Sequence, residues 1–432
     1  MKSRPLLLPS LTFLKARIQY IAPLVSFIGV AIAPAASAAL KDLKNADLAI
    51  ILPAQKDLRV AASDTAVPTR DAFLPADLLR LVEDSFKNTS VGDAVSIENT
   101  YEDWTLVSAR VVPCAPLGSI PGPEANILCW PEVRLVWQPI LKNFRRYAAI
   151  LNWFADDRAI HALYDVHPKL ALQGENAIRA QQLLNKVRSA LETNPTQGSS
   201  LLAAEELATF IAARDQVARS LMERALALRS KNLATEQYAK IAERPEFNQP
   251  EEAKAFVGRL KTFLSETTSR AALKEMTSFS LPEGREPPQS DEWVFLKYLR
   301  KNGKMVQVDI TVQSAIDGRE LINMGKNPKA SQMLDDPELH TALDTLPKAD
   351  ADELKKRVLL SPQEISSKSN IINDSALSLV PNTTCGSCHK FNPLRFDFHN
   401  LSYLEDRTVS VSPRVHFDVM RDLQWLEQAK FK

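Results

Sequence analysis

Residues 293–313 read WVFLKYLRKNGKMVQVDITVQ, the plainest hairpin in the chain. Asn302-Gly303 supplies the two left-handed backbone positions of a type I′ turn, whose twist matches that of the flanking strands. Beyond the turn Val306, Val308, Ile310 and Val312 alternate with Gln307, Asp309 and Thr311, so one face is expected to be buried and the other wet. Either this hairpin extends a sheet begun upstream or it opens a further domain. The residues leave both open, and the architecture turns on the answer.

Upstream, residues 39–173 read as an α+β domain. Leu74 to Lys87 has Pro75 near its first turn and Leu78, Leu79, Val82 and Phe86 at helical spacing. Strand-like runs follow at Trp104 to Val112, Glu132 to Trp137, Tyr147 to Phe154 and Ala159 to Val166, the last two joined by a turn at 155–158. Cys114 and Cys129 flank a loop containing proline and glycine, and in an oxidising compartment they are expected to form a disulfide. The alternative is two free thiols serving a metal, although the nearby His161 and His167 lack ligand spacing. His161 alternates into a strand as a half-buried residue, and Trp130, Trp137 and Trp153 read as core rather than as a sugar platform.

Residues 174–280 turn helical. Ala177 to Leu191, Ser200 to Ser230 and Pro250 to Met276 carry apolar residues at i, i+3, i+4 and i+7. Ser199 and Ser200 precede Leu201, with Glu205 and Glu206 in the first turn, as a capped start requires. The expectation is a helical hairpin or small bundle inserted between β-containing parts; the alternative is a coiled coil that binds a partner. Pro282, Gly284, Pro287 and Pro288 mark 281–292 as a linker.

The 432-residue chain carries 53 basic and 52 acidic residues. Lys2, Arg4, Lys15 and Arg17 are the only charges in the first 38 positions, and an uncharged run from Ile18 to Leu40 passes through Ala36-Ser37-Ala38. This pattern reads as a signal peptide cleaved after the small residues, the alternative being an uncleaved membrane anchor. Removing those four cations leaves 49 basic against 52 acidic residues, a net charge of −3 that favours neither nucleic acid nor an acidic membrane surface as a partner. With 45% apolar residues the chain is long enough for more than one core. No G-x-G-x-x-G, P-loop, H-E-x-x-H or G-x-S-x-G occurs, so nucleotide, zinc-protease and serine-hydrolase chemistry have no local support.

Near the C-terminus stand Cys385, Gly386, Ser387, Cys388 and His389, the C-x-x-C-H pattern of covalent haem attachment. Two thiols at this spacing can add to the two vinyl groups of a haem, and the next residue then places its imidazole beneath the iron. A zinc site would need a second such cluster, and a redox dithiol would be expected to open a helix after a strand. Ser361-Pro362-Gln363-Glu364 is a capping box for a brief helix, and Ser412-Pro413 opens a last helix carrying His416, Met420 and Leu423 on one face. Phe391, Phe396, Phe398, Tyr403, Phe417 and Trp425 supply an aromatic density that suits packing against a porphyrin.

On the motif the sequence resembles the c-type cytochromes. The resemblance implies thioether bonds from Cys385 and Cys388, His389 as proximal iron ligand, and Asn392, Pro393 and Leu394 walling the proximal side, with the Pro393 carbonyl accepting the imidazole's second N–H. Only 43 residues follow His389, so upstream residues must complete the pocket. Arg395 and Arg407 are candidate partners of the haem propionates, because a guanidinium pairs two carboxylate oxygens at once. The sixth ligand is His399 or Met420, with His416, Met324, Met333 and His340 as further candidates, or the position is open. Two histidines would lower the potential, a methionine would raise it, and an open site would admit peroxide or oxygen.

The reading is therefore an α+β protein: a signal peptide (1–38), an α+β domain (39–173), a helical subdomain (174–280), a linker (281–292), a hairpin (293–313) and a small, mostly α, cytochrome c-like haem-binding region (314–432). It is expected to be an exported, periplasmic monohaem protein with one covalent haem c, passing electrons to an unidentified redox partner protein and touching a membrane only if the N-terminal segment is uncleaved. Two alternatives stand beside it: a peroxidase-like haem oxidoreductase, and a haem-free exported binding or structural protein held by disulfides.

Overall fold

The computed structural model describes residues 40–53, 60, 73–86, 104–117, 126–139, 159–193, 198–280, 294–313, 321–323, 325–326 and 413–429. The N-terminal segment, the runs expected at 147–158, the linker and Ser361–Glu364 lie outside them.

Helix α1 (Asn45–Leu48) leads into β1 (Ala49–Ile51), followed by α2 (Ala76–Phe86), β2 (Trp104–Pro116), β3 (Cys129–Pro139) and β4 (Ala159–Asp165). Three helices come next, α3 (Gly174–Thr193), α4 (Ala204–Leu226) and α5 (Pro250–Thr267). The chain then forms β5 (Leu273–Ser280), β6 (Val294–Lys301), β7 (Lys304–Val308), the short pair β8 (Thr311–Gln313) and β9 (Leu321–Asn323), and finally α6 (Pro413–Gln428).

Strands β1 to β7 build one seven-stranded antiparallel sheet in sequence order. The hairpin therefore extends the upstream sheet. Asn302 at φ 51° and Gly303 at φ 78° take the left-handed positions expected of them. The alternation beyond the turn does not persist: β7 is an edge strand in which Lys304 is exposed and Met305 to Val308 are half-buried, and Thr311–Gln313 pairs with Leu321–Asn323 instead.

Helices α3 to α5 are an insertion between two neighbouring strands. The helix expected to reach Met276 stops at Thr267, and Leu273–Ser280 is β5, zipped between β4 and β6. Ladder bonds on both sides override a helical period that continues through Leu273 and Met276. The serines at 199 and 200 sit in a 3-10 turn, and α4 starts at Ala204, where Glu206 Oε2 accepts from the Ala203 backbone N–H at 3.3 Å.

The two faces of the sheet differ. On one face the cross-strand row Ala109, Leu135, Ala162, Met276 and Tyr298 is at most 1% exposed. Helix α2 lies on that side, where Tyr164 Oη donates to the Phe73 carbonyl at 3.3 Å and Leu78, Leu79, Val82 and Phe86 are buried. Burying each such side chain contributes roughly 1.5–3 kcal/mol. The opposite row runs Arg110, Arg134, Leu163, Glu275, Leu299 and Val306, and every member is half-buried.

Candidate functional site

The motif Cys385 to His389 lies outside the described residues, as do Arg395, His399, Arg407, Met324, Met333 and His340. The structure describes the residues that flank this part of the chain. On its N-terminal side, Ile310 donates its backbone N–H to the Gly325 carbonyl at 2.7 Å, and Gln307 Nε2 donates to the Lys326 carbonyl at 3.1 Å. On its C-terminal side α6 is clamped to β2, with Arg110 Nη2 donating to Asp422 Oδ2 at 2.5 Å. Val419, Trp425 and Leu426 are buried beside that pair, and the Arg214 guanidinium lies 5.3 Å from the Trp425 ring centroid. The described residues on either side of 327–412 are thus both tied to one sheet.

The clamp decides which face of α6 is free. Val419, Asp422, Trp425 and Leu426 point inward, so Met420 is 49% exposed and His416, one turn earlier, is exposed as well. Met420 is accordingly no part of the core, where a mid-helix methionine is commonly found.

Beneath α6 the sheet carries buried charge. Burial pushes the Asp422 carboxyl up to about 6, a shift that Arg110 opposes and Asp418 reinforces. The same burial lowers the Arg110 guanidinium from its usual value. On the next strand burial would raise Glu132, but Arg134 and Lys274 outweigh it and hold the carboxyl at about 2. Asp165, paired across the strands with Glu132, accepts from Arg188 of α3 at 2.5 Å. His161, half-buried on the same face as Arg134, is lowered to about 4 by burial and by that arginine, so it is neutral near pH 7.

Cys114 and Cys129 are joined as a disulfide, which removes both thiols from any metal site with His161 or His167. His167 serves as a cap, its Nδ1 accepting from the Lys169 backbone N–H at 3.0 Å. Among the described residues no group of three His, Cys, Asp or Glu side chains could hold a metal, and no helix is long and apolar enough to cross a membrane.

A second buried cluster had no signal in the sequence. Arg244 and Glu246 are fully buried and paired at 2.9 Å, and Tyr238 Oη donates to the same Glu246 oxygen at 2.9 Å. Arg244 Nη1 donates to the Ala46 carbonyl at 2.9 Å, and Arg229 Nε donates to Asp47 Oδ1 at 2.9 Å. This network fastens α1 to the connection between α4 and α5. Arg244, Glu246, Tyr238 and Asp47 are sealed from solvent, Arg229 is half-buried, and all are hydrogen-bonded, so the role of the network is structural. The parts of such a network are scattered in sequence, and only their burial distinguishes them from surface charges.

Comparison with protein families, with curated proteins and with solved structures found no match to this chain.

Proposed function

We propose that the chain is an exported c-type haem protein whose activity is electron transfer through a single covalent haem. The observation that carries this reading is the pentapeptide Cys385 to His389. The donor set fits the group: the chain has four cysteines, and Cys114 and Cys129 are committed to each other, which leaves Cys385 and Cys388 for two thioether bonds. The disulfide also favours an oxidising compartment, in agreement with the basic and then apolar N-terminus.

In this reading Cys385 and Cys388 would hold the porphyrin through thioether bonds, His389 would be an iron ligand, and Arg395 and Arg407 would pair with the propionates. When bound, the haem supplies one-electron redox chemistry. His399 or Met420 provides the sixth ligand, and the exposure of Met420 keeps it available. The C-terminal haem-binding region stands as part of this proposal, as does an unidentified redox partner protein.

Intact-mass spectrometry of protein matured in a periplasm with functional haem ligation tests the reading. The expected mass is that of the chain cleaved after Ala38 plus one haem that survives denaturation. A mass without haem, with Cys385 and Cys388 oxidised to each other, would sink it in favour of a haem-free exported protein.

A further inference from the structure

The half-buried sheet face raises the question of what completes it. Its row from Arg110 to Val306 contrasts with a fully buried row on the other side. A second row on the same face, Ser108, Val136, His161, Thr277, Lys297 and Val308, is half-buried as well. Leu163, Val136, Leu299, Val306 and Val308 make this surface too apolar for an ordinary wet face, while Lys297 and Glu275 pair across it at 3.2 Å.

Polar atoms at its β2–β3 end tell the same story. Thr105 and Gln138 are cross-strand partners, 5% and 1% exposed, and Thr105 Oγ1, Gln138 Oε1 and Arg110 Nη1 are buried without a hydrogen-bond partner among the described residues. Gln138 shares the face of Arg134 and Val136 by the strand period of two. Buried polar atoms of this kind are nearly always paired, so three at one end of a face call for a further element.

We propose that this face is the docking surface for residues 327–412 of the same chain, the segment that carries Cys385 to His389. Its two ends are fixed at the margins of the sheet. Lys326 is held at the β7 edge through Gln307, and Pro413 opens α6. Asp422 of α6 lies against Arg110 of β2, and Asp418, one turn nearer the segment, acts on Arg134 of β3. The helix that follows the segment therefore lies on this face. The segment brings apolar side chains for Leu299 and Val306, and polar groups for Gln138, Thr105 and Arg110. On the haem reading, the sheet would thereby form one wall of the haem pocket. Only this last statement rests on the haem reading; the docking itself does not.

The test is amine cross-linking of the full-length protein, read by peptide mass spectrometry, with haem content measured on the same sample. Lys297 is expected to join lysines within 327–412, such as Lys355 or Lys390, in the monomer, while Lys254 on α5 does not. In Leu299→Glu, hydrogen exchange of peptides from 327–412 is expected to accelerate by about tenfold or more with β2 and β3 unchanged. Links from Lys297 only to its strand neighbours, or to Lys297 of a second, isotopically labelled copy, would overturn the proposal, as would unchanged exchange in Leu299→Glu. Haem without these links contradicts the docking alone, and links without haem contradict the proposed function alone.

Discussion

Arg110 on β2 and Asp422 on α6, separated by 312 positions in sequence, form a buried ion pair that fixes the C-terminal helix to the sheet. The pair matters because α6 terminates the segment that bears the haem motif. Removing one partner leaves a charge buried without compensation. Asp422→Ala is expected to lower unfolding free energy by roughly 3–5 kcal/mol, whereas Arg110→Met with Asp422→Leu is expected to fall within about 1 kcal/mol of the parent or above it. Urea denaturation of the three proteins measures both. A single variant as stable as the parent would contradict the clamp.

The same carboxyl gives α6 a pH dependence of unusual sign. Asp422 is surrounded by Arg110 of β2, Arg134 of β3, and Asp418 and Arg421 of its own helix. Its value is raised from 3.8 to about 6, so the docked state holds the proton more tightly than the undocked state. The stability it contributes is present below the unfolded value and is lost as pH rises through about 6. His161, lowered from 6.5 to about 4, works the other way, favouring the fold above 6.5 and losing that contribution as pH falls toward 4. Global unfolding therefore blends opposing effects, and a local readout is needed. Hydrogen exchange in α6, corrected for intrinsic rate, is expected to show about tenfold or more greater protection near pH 5 than near pH 7.5, and no such gain in Asp422→Asn.

The disulfide Cys114–Cys129 spans a sequence separation of 15 at the β2–β3 turn. Closing a loop of that size restricts the unfolded chain, and Cys114→Ala with Cys129→Ala is expected to cost about 3 kcal/mol on the chain-entropy model. Thermal unfolding in the presence and absence of reductant checks it. Haem attachment through Cys385 and Cys388 is expected to continue in this variant.

Gly303 carries φ 78°, and a Cβ built there would meet nothing within 4 Å. The penalty for Gly303→Ala is thus one of backbone conformation alone, roughly 1–2 kcal/mol. Gly303→Asn is expected to cost less, since asparagine tolerates the left-handed region. Melting temperatures of the two variants order them, and equal values would contradict the type I′ turn.

Much of the fold was legible where a local signal agreed with the final pairing. The strands around Trp104, Trp137 and Ile160, the Asn302-Gly303 turn and helices α2 to α5 all have such signals. Leu273–Met276 reads as the end of a helix because Leu273 and Met276 prolong the apolar period of α5, and only pairing with β4 and β6 makes Leu273–Ser280 a strand. Ala49–Ile51 was missed because three residues cannot display a period. The place of the hairpin in the sheet depends on neighbours distant in sequence, which no local pattern encodes. At the candidate site the motif was legible because its chemistry is fixed by spacing. The anchors around it were not, since Arg110, Gln138 and Asp422 acquire their meaning from burial.

An absorption spectrum reads covalent haem at Cys385 and Cys388 without intermediate steps. Protein purified from a periplasm with intact cytochrome maturation is recorded oxidised, then reduced with dithionite, then exposed to carbon monoxide. The account predicts a c-type reduced spectrum that carbon monoxide leaves unchanged, with a strongly held sixth ligand. A reduced spectrum shifted by carbon monoxide would keep the haem but turn the function toward peroxide or oxygen chemistry. A colourless protein would contradict the account.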